Sequence, residues 1–392
     1  MKLFTALLLL LTSFISRAQN YTDTLDLQIG QIYERSDLPG FAVAIVKQGE
    51  IKYLQAFGYS DLSTQSPYTI NSIQNIGSVS KTFIGLCVMK AEEEGLLSLD
   101  APINDYLPFE VWNPNFPGQP ITIRQLAMHT SGILDSDNYS KSYVLKSDIP
   151  EKKRAYNRQH RKEITQASRN DWMPYETYLL EYLSPKGALY KKRNFAKTAP
   201  GANYEYTNVG ATLLAYVIES ASGMPFEEYS QKHILDPLNM HASGWFFEDV
   251  NMDKHARLYF PGGALLPRYT LNTWPDGGMI SSAADLAIYL TEMLEGYKGH
   301  GTLISAESYS EMFRIKAVGD HSIGIIWNET KSGAMQHTGG DPGIFSIVQF
   351  QPEKDIGLLF LSNCSAFEAE ETMSYFVEIW KTMLKYAALM AD

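Results

Sequence analysis

The strongest strand-forming runs of this 392-residue chain lie at its two ends, and the stretch between them reads as helix and loop. Near the N-terminus, Phe41–Val46 and Ile51–Phe57 flank the turn Lys47-Gln48-Gly49-Glu50, a pattern that predicts an antiparallel hairpin. Near the C-terminus, Ser322–Asn328, Gly333–Thr338, Ile344–Phe350 and Ile356–Leu361 are four further strand candidates, separated by turns such as Gln351-Pro-Glu-Lys-Asp355. Amphipathic helices are expected over Leu25–Arg35, before the breaker Leu38-Pro39-Gly40, and from about Glu368 to Leu384. Isolated hairpins are marginal in water, so strands from both ends are expected to share one antiparallel sheet with helices on its faces. The middle then forms a mostly helical lobe beside it, with helices near Ile123–Met128, Tyr175–Tyr182, Ala211–Ser222 and Ala283–Leu294 and few strand signals. The expected fold class is therefore α/β of the α+β kind. The expected division is a sheet domain from 19–85 and 311–392 and a helical domain from 86–310, carrying a basic insertion over 141–200.

The first residues predict export. Lys2 precedes the apolar run Leu3–Ile15, and Ser16-Arg17-Ala18 ends it with small residues, the layout of a signal peptide over 1–18. That run is too short to span a bilayer, and no later run reaches about 20 apolar residues, so no transmembrane segment is expected once the signal is removed. The predicted location is periplasmic or secreted. Cys87 and Cys364 sit in or beside apolar runs and read as small buried hydrophobes, with one bridge open to an exported chain. The net charge of −11 argues against nucleic acid as a partner. Residues 141–200 nevertheless hold 14 Lys and Arg against 6 Asp and Glu, clustered at Lys152-Lys153-Arg154 and Lys191-Lys192-Arg193. This reads as a solvated surface insertion, or as an attractor for an anionic substrate or cell-wall polymer. Oligomeric state is not legible.

Three short motifs carry the chemistry. Ser78-Val79-Ser80-Lys81 is the one Ser-x-x-Lys in the chain, placed where a polar approach enters an apolar helix. A three-residue spacing on a helix sets both side chains on one face, and a desolvated lysine can take a proton from a serine hydroxyl. A chain of this length meets about one such spacing by chance, so the plain alternative is Ser78 as a helix cap with Lys81 in solvent. Tyr206-Thr207-Asn208 is the one Tyr-x-Asn, after the breaker Pro200-Gly201 and before a helix beginning near Gly210. A phenol can shuttle protons and a carboxamide can orient a substrate amide, unless these are a loop tyrosine and a helix-capping asparagine. His337-Thr338-Gly339-Gly340 ends a strand before Asp341-Pro342-Gly343. It reads either as an open edge that pairs with a peptide-like ligand or as a β-turn needing its glycines. His129 reads as structural at a helix end. The histidines and cysteines lack metal-ligand spacing, and no phosphate loop appears, so neither metal nor cofactor is expected.

In order, these three motifs resemble the serine β-lactamase and penicillin-binding protein superfamily, in its class C and DD-carboxypeptidase branch. Gly95–Asp100, Ile121–Gly132, Pro275–Ser282 and Pro200-Gly201 also match stretches common in that branch. The resemblance implies a β-lactamase/transpeptidase-like fold and an acyl-enzyme mechanism on a small-molecule or peptide substrate, cell-wall peptides among them. It implies that Ser78 is acylated, Lys81 helps remove its proton, and Tyr206 protonates the leaving group and later assists water. It further implies that Asn208, His337, Thr338 and Gly339 bind substrate, with the backbone N–H groups of Ser78 and Gly340 as the oxyanion hole. Where many β-lactamases carry Lys-Thr-Gly, this chain carries His337-Thr338-Gly339. That departure ranks D-amino-acid peptidase, DD-carboxypeptidase-like or esterase activity above β-lactamase. A slow-deacylating penicillin-binding or sensor protein is the rival of another class.

Overall fold

The computed structural model describes residues 21–147, 156–365 and 369–390. The expected leader over 1–18 and the basic cluster Lys152–Arg154 lie outside these. Among the described residues, fifteen strands follow in chain order. They are β1 (Gly40–Lys47), β2 (Glu50–Asp61), β3 (Ser66–Pro67), β4 (Ile73–Asn75), β5 (Tyr143–Leu145), β6 (Tyr259–Phe260), β7 (Ala264–Leu265), β8 (Tyr269–Leu271), β9 (Ile280–Ser282), β10 (Lys316–Val318), β11 (His321–Ile323), β12 (Asn328–Glu329), β13 (Met335–Asp341), β14 (Ile344–Gln351) and β15 (Ile356–Ser362). The helices are α1 (21–34), α2 (Ser80–Glu93), α3 (Ile123–Ala127), α4 (Arg158–Ala167), α5 (Tyr175–Leu183), α6 (Asn208–Ser222), α7 (Phe226–Ser230), α8 (Ala283–Tyr297), α9 (Ala306–Met312) and α10 (Glu370–Leu389).

Among the described residues, nine strands form one antiparallel sheet in the order β10-β11-β12-β13-β14-β15-β1-β2-β3. The two chain ends meet at β1 and β15, where Phe41 pairs with Ser362 and Lys47 with Ile356. Strand β1 is buried along its whole length because both sheet faces are covered, and its alternation sorts the core in two. Ala42, Ala44 and Val46 face the larger cluster with α2 and α8. Phe41, Val43 and Ile45 face the terminal helices, through Leu25, Ile29 and Ile32 of α1 and Phe376, Ile379 and Met383 of α10. Phe41 stacks between Phe57 and Phe360, at 5.2 and 5.3 Å between ring centroids. Cys87 and Cys364 are buried and unbridged, as small hydrophobes would be.

Three expectations need correction. The run Ser322–Asn328 does not form one strand. It breaks between β11 and β12 because the Ile325 N–H donates to the Met312 carbonyl and the Ile326 N–H to the Ala127 carbonyl, tying the segment to the helical side. Strand β13 starts later than expected and runs on through Asp341, which pairs with Ile344, so His337–Gly340 lies within a ladder rather than at its end. The middle also holds short strands, among them the β5–β8 ribbon from Tyr143↔Leu271 to Leu145↔Tyr269. Such two- and three-residue pairings are too brief to leave a period-2 signal.

Candidate active site

A single 3₁₀ turn, Gly77–Val79, delivers Ser78 to the start of α2. Neither this turn nor α2 uses a side-chain cap, so the hydroxyl of Ser78 is not spent on helix ends. Lys81, one turn on, is fully buried, which overturns the solvent-exposed alternative. Its ammonium donates to Ser78 Oγ at 3.0 Å and to the Asp276 carbonyl at 2.6 Å. Burial opposes that charge, but Tyr206, Asp276 and Asp341 around it outweigh the penalty and hold Lys81 above the ordinary lysine range.

Tyr206 reaches the same place from α6. Thr207 is the N-cap of this helix, its Oγ1 accepting from the Gly210 N–H at 3.1 Å, so Asn208 is the first helical residue and not the cap. Asp135 grips that helix start: its carboxylate accepts from Thr207 Oγ1 at 3.0 Å and from the N–H groups of Asn208 and Val209 at 2.8 and 3.1 Å. A carboxylate at a helix N-terminus is favoured by the dipole and fixes the Tyr206–Asn208 turn in place. The Tyr206 ring then lies with its centroid 5.1 Å from Lys81 Nζ.

The third piece is β13. Beyond Gln336, which pairs with Asn328, no described strand covers its second edge. That edge abuts the Ser78 turn. Gly77, with φ of +55°, leaves only 3.2 Å between the place a Cβ would occupy and the Gly340 nitrogen. A Cβ on Gly339 would stand 2.2 Å from the Ile76 carbonyl oxygen and 2.3 Å from Ser346 Oγ. Gly339 and Gly340 have no positive φ, so close approach, and not turn geometry, is why glycine stands at 339. His337 is buried on the face of β13 that Gly339 also occupies. Its Nδ1 bonds the Thr338 carbonyl at 3.0 Å, so that nitrogen carries the proton and Nε2 presents a lone pair. Burial, reinforced by Lys81, pushes the imidazole down to about 3, so it is neutral at physiological pH.

The structure thus brings Ser78, Lys81, Tyr206, His337 and Gly340 to one cleft, with Asn208 half-buried at the start of α6 and Thr338 on the open edge. It also adds residues that motif reasoning missed. The His129 ring packs, tilted, against Tyr206 at 4.6 Å between ring centroids, in addition to its expected place after a helix end. Asp276 accepts from Tyr139 at 2.9 Å and Thr212 at 3.0 Å, and burial lifts its carboxyl to about 6. Asp341 accepts from the Tyr143 hydroxyl at 2.5 Å and is raised by burial to about 7. The stretches holding His129 and Asp276 were visible as Ile121–Gly132 and Pro275–Ser282, but nothing in them announced these contacts.

The profile of the Beta-lactamase family matches residues 25–377. The chain belongs to this family. Protein flp of Staphylococcus aureus (strain MRSA252) is 24% identical over 361 residues, which cover 89% of this chain and 64% of that protein, so the chain spans about two-thirds of its relative's length. Among solved structures, the octameric penicillin-binding protein homologue from Pyrococcus abyssi is similar with a TM-score of 0.71 and 27% identity, over 94% of this chain and 77% of the other. A class C β-lactamase shares the fold with a TM-score of 0.66 and 20% identity, over 93% and 96% of the two chains. The antiparallel sheet with its flanking helices is the fold of these β-lactamase-family members.

Proposed function

We propose that this protein is an exported active-site serine hydrolase that cleaves an ester or amide through an acyl-enzyme. The observation that supports it best is the fully buried Lys81 ammonium 3.0 Å from Ser78 Oγ, with the Tyr206 ring beside it. Four polar groups gathered in one cleft cost stability unless chemistry uses them.

In this reading Ser78 Oγ attacks the substrate carbonyl carbon and its proton leaves through the Lys81–Tyr206 pair. The carbonyl electrons move onto oxygen, which the N–H groups of Ser78 and Gly340 stabilise; such a donor is typically worth 10²–10³ in rate. Collapse expels the leaving group, which takes a proton from Tyr206. Water then attacks the acyl-enzyme with the same pair as base. Asn208 orients the substrate amide, and Thr338 and Gly339 present the strand edge to it.

A neutral His337 offers an acceptor where a lysine would offer a cation, which favours substrates whose leaving group does not depend on a carboxylate–cation pair. On this charge argument an esterase ranks above a class C-like β-lactamase, and the resemblance of a histidine at this position to D-amino-acid peptidases and DD-carboxypeptidases ranks those activities above it as well. The test compares an aryl butyrate, a D-Ala-D-Ala peptide and a chromogenic cephalosporin. Ser78→Ala is expected to abolish turnover and labelling by a fluorophosphonate. A wild type that neither turns over nor labels would end the enzyme reading. A stable adduct seen by mass spectrometry without turnover would identify a slow-deacylating binding or sensor protein instead.

A further inference from the structure

The carbonyl that accepts from the Lys81 ammonium at 2.6 Å belongs to Asp276, the last residue of the 3₁₀ turn Trp274–Asp276. The same residue turns a buried carboxyl into the protein. One of its oxygens accepts from the Tyr139 hydroxyl at 2.9 Å, the other from the Thr212 hydroxyl at 3.0 Å. Thr212 lies four positions after Asn208 on α6, so the two share a face one turn apart. Tyr206 enters that helix two residues before Asn208. The Asp276 carboxyl therefore joins the helix behind Tyr206 and Asn208 to the turn whose carbonyl holds Lys81. Asp135 grips the first turn of α6 and Asp276 the second, and two attachments fix the rotation of a helix as well as its position.

A buried carboxylate is costly unless hydrogen bonds and an opposite charge offset it. Lys81 is that charge. The groups facing the ammonium are Tyr206 before α6, Asp276, Asp341 on β13 and the neutral rings of His129 and His337. Those around the Asp276 carboxyl are Lys81, Tyr139, Asp135, Asp341 and Tyr178 of α5. Asp341 crowds the same turn, its Oδ2 standing 3.2 Å from the place a Cβ on Gly277 would occupy. Of the two carboxyls, Asp276 acts on the ammonium more strongly.

We propose that Asp276 is a positioning residue of the enzyme. Its carboxylate locks the helix behind Tyr206 and Asn208 to the carbonyl that holds Lys81, and it supplies the charge opposite that ammonium. The kinetic side of this inference rests on the proposed hydrolase reading; the charge can be read without turnover.

Two variants of the full chain separate the charge from the tie. In Asp276→Asn the amide oxygen can accept from Tyr139 and the amide N–H can donate to Thr212 Oγ1, which keeps the Thr273 carbonyl at 3.4 Å as its own acceptor. The bonds stay and the charge goes. In Thr212→Val the charge stays and the tie to α6 goes. The readout is turnover of p-nitrophenyl butyrate from pH 6 to 10. Asp276→Asn is expected to move the alkaline limb of kcat/KM about one unit lower, and Asp341→Asn to move it less. Thr212→Val is expected to lower kcat about tenfold with the limb in place, because α6 is freed and the charge is not. NMR of isotope-labelled lysine, with the Lys81 signal assigned by its loss in Lys81→Arg, follows the same ionisation in the absence of substrate. A Lys81 midpoint unmoved in Asp276→Asn, or a kcat unchanged in Thr212→Val, overturns the proposal. A wild type that turns nothing over while Asp276→Asn still lowers the midpoint would end the hydrolase reading and keep Asp276 as the partner of Lys81. No turnover and an unmoved midpoint would end both.

Discussion

The imidazole of His129 and the phenol of Tyr206 pack at 4.6 Å between centroids, inclined by 37°. His129 Nδ1 also accepts from the Thr207 N–H at 3.3 Å, which leaves its proton on Nε2. Burial, with Lys81 and His337 nearby, keeps this ring neutral, well below the usual histidine range. Tyr206 is thus held between the Lys81 ammonium and a neutral ring, on an otherwise exposed turn. His129 works in this arrangement as a positioning residue.

His129→Ala is expected to lower kcat/KM for an aryl ester by roughly 10–100-fold, mostly in kcat, because Tyr206 loses its backing. His129 has φ of +53°, where asparagine is tolerated better than most residues, and an asparagine oxygen can accept from Thr207. His129→Asn should therefore recover part of the rate. Equal loss in both variants, with KM rising and kcat unchanged, would assign His129 a purely structural place.

The contact between β13 and the Ser78 turn is similarly exposed to a one-carbon test. In Gly339→Ala the new methyl meets the Ile76 carbonyl and Ser346 Oγ, one of them main chain that cannot rotate away. Ser346 Oγ itself donates to the Ile76 carbonyl at 2.7 Å, so the same atoms knit the sheet to the turn. A loss of roughly 3 kcal/mol in stability is expected, or a strand displaced from Ser78 with activity down by 10² or more. Urea unfolding and aryl-ester turnover measure the two; a variant with native values in both would mean that the strand does not abut the turn this closely.

What could be read in the sequence followed from locality. Ser78 and Lys81 share one helical turn, so three residues of spacing fixed their 3.0 Å approach. Strands β1, β14 and β15 each bury at least five positions, long enough to show as strands in the sequence. The partners of Lys81 were not legible in this way. Asp276 and Asp341 reach it from 195 and 260 positions away, and a single acidic residue beside glycines looks the same in a surface turn. Asp135 escaped notice for a related reason: it caps a helix that begins more than 70 residues later. The insertion over 141–200 misled in another way, since its composition advertised charge while α4 also buries His160, Ile164 and Ala167.

Asp341 supports a prediction about pH. An exposed aspartate titrates near 3.9, whereas burial first and Asp276 second raise Asp341 to about 7, against the help of Tyr143 and Lys81. The folded chain therefore binds this proton more tightly than the unfolded chain does. Stability is greatest below about pH 4, declines as pH rises toward 7, and is lowest, as far as this group is concerned, above 7. Asp276, at about 6, acts with the same sign over a narrower window. Asp341→Asn keeps an oxygen for the Tyr143 hydroxyl and removes the buried charge. It is expected to stabilise the protein by on the order of 1–2 kcal/mol at pH 8, after discounting for partial exposure, with no gain near pH 4. Urea midpoints across pH 4–8 test this, and a variant less stable than wild type at pH 8 would show that the Asp341 charge is held by the Lys81 ammonium more strongly than burial opposes it.

His337 separates the substrate classes. As a neutral ring it contributes a lone pair at Nε2, and with its value near 3 it does not titrate between pH 5 and 8. Any inflection of kcat/KM in that interval must then come from another group. His337→Lys places a cation at the start of the open edge, within the electrostatic reach of Lys81 that already depresses the imidazole. Two consequences follow. A substrate with a free carboxylate gains a charged partner, so kcat/KM for a chromogenic cephalosporin is expected to rise about tenfold relative to a neutral aryl ester. The second cation also disfavours the Lys81 ammonium, so the alkaline limb of the rate profile should move to lower pH. Steady-state kinetics on both substrates from pH 6 to 10 give the two readouts together. If the cephalosporin-to-ester ratio stayed constant while the alkaline limb shifted, residue 337 would tune Lys81 without meeting the substrate, and selectivity would have to be sought further along the strand.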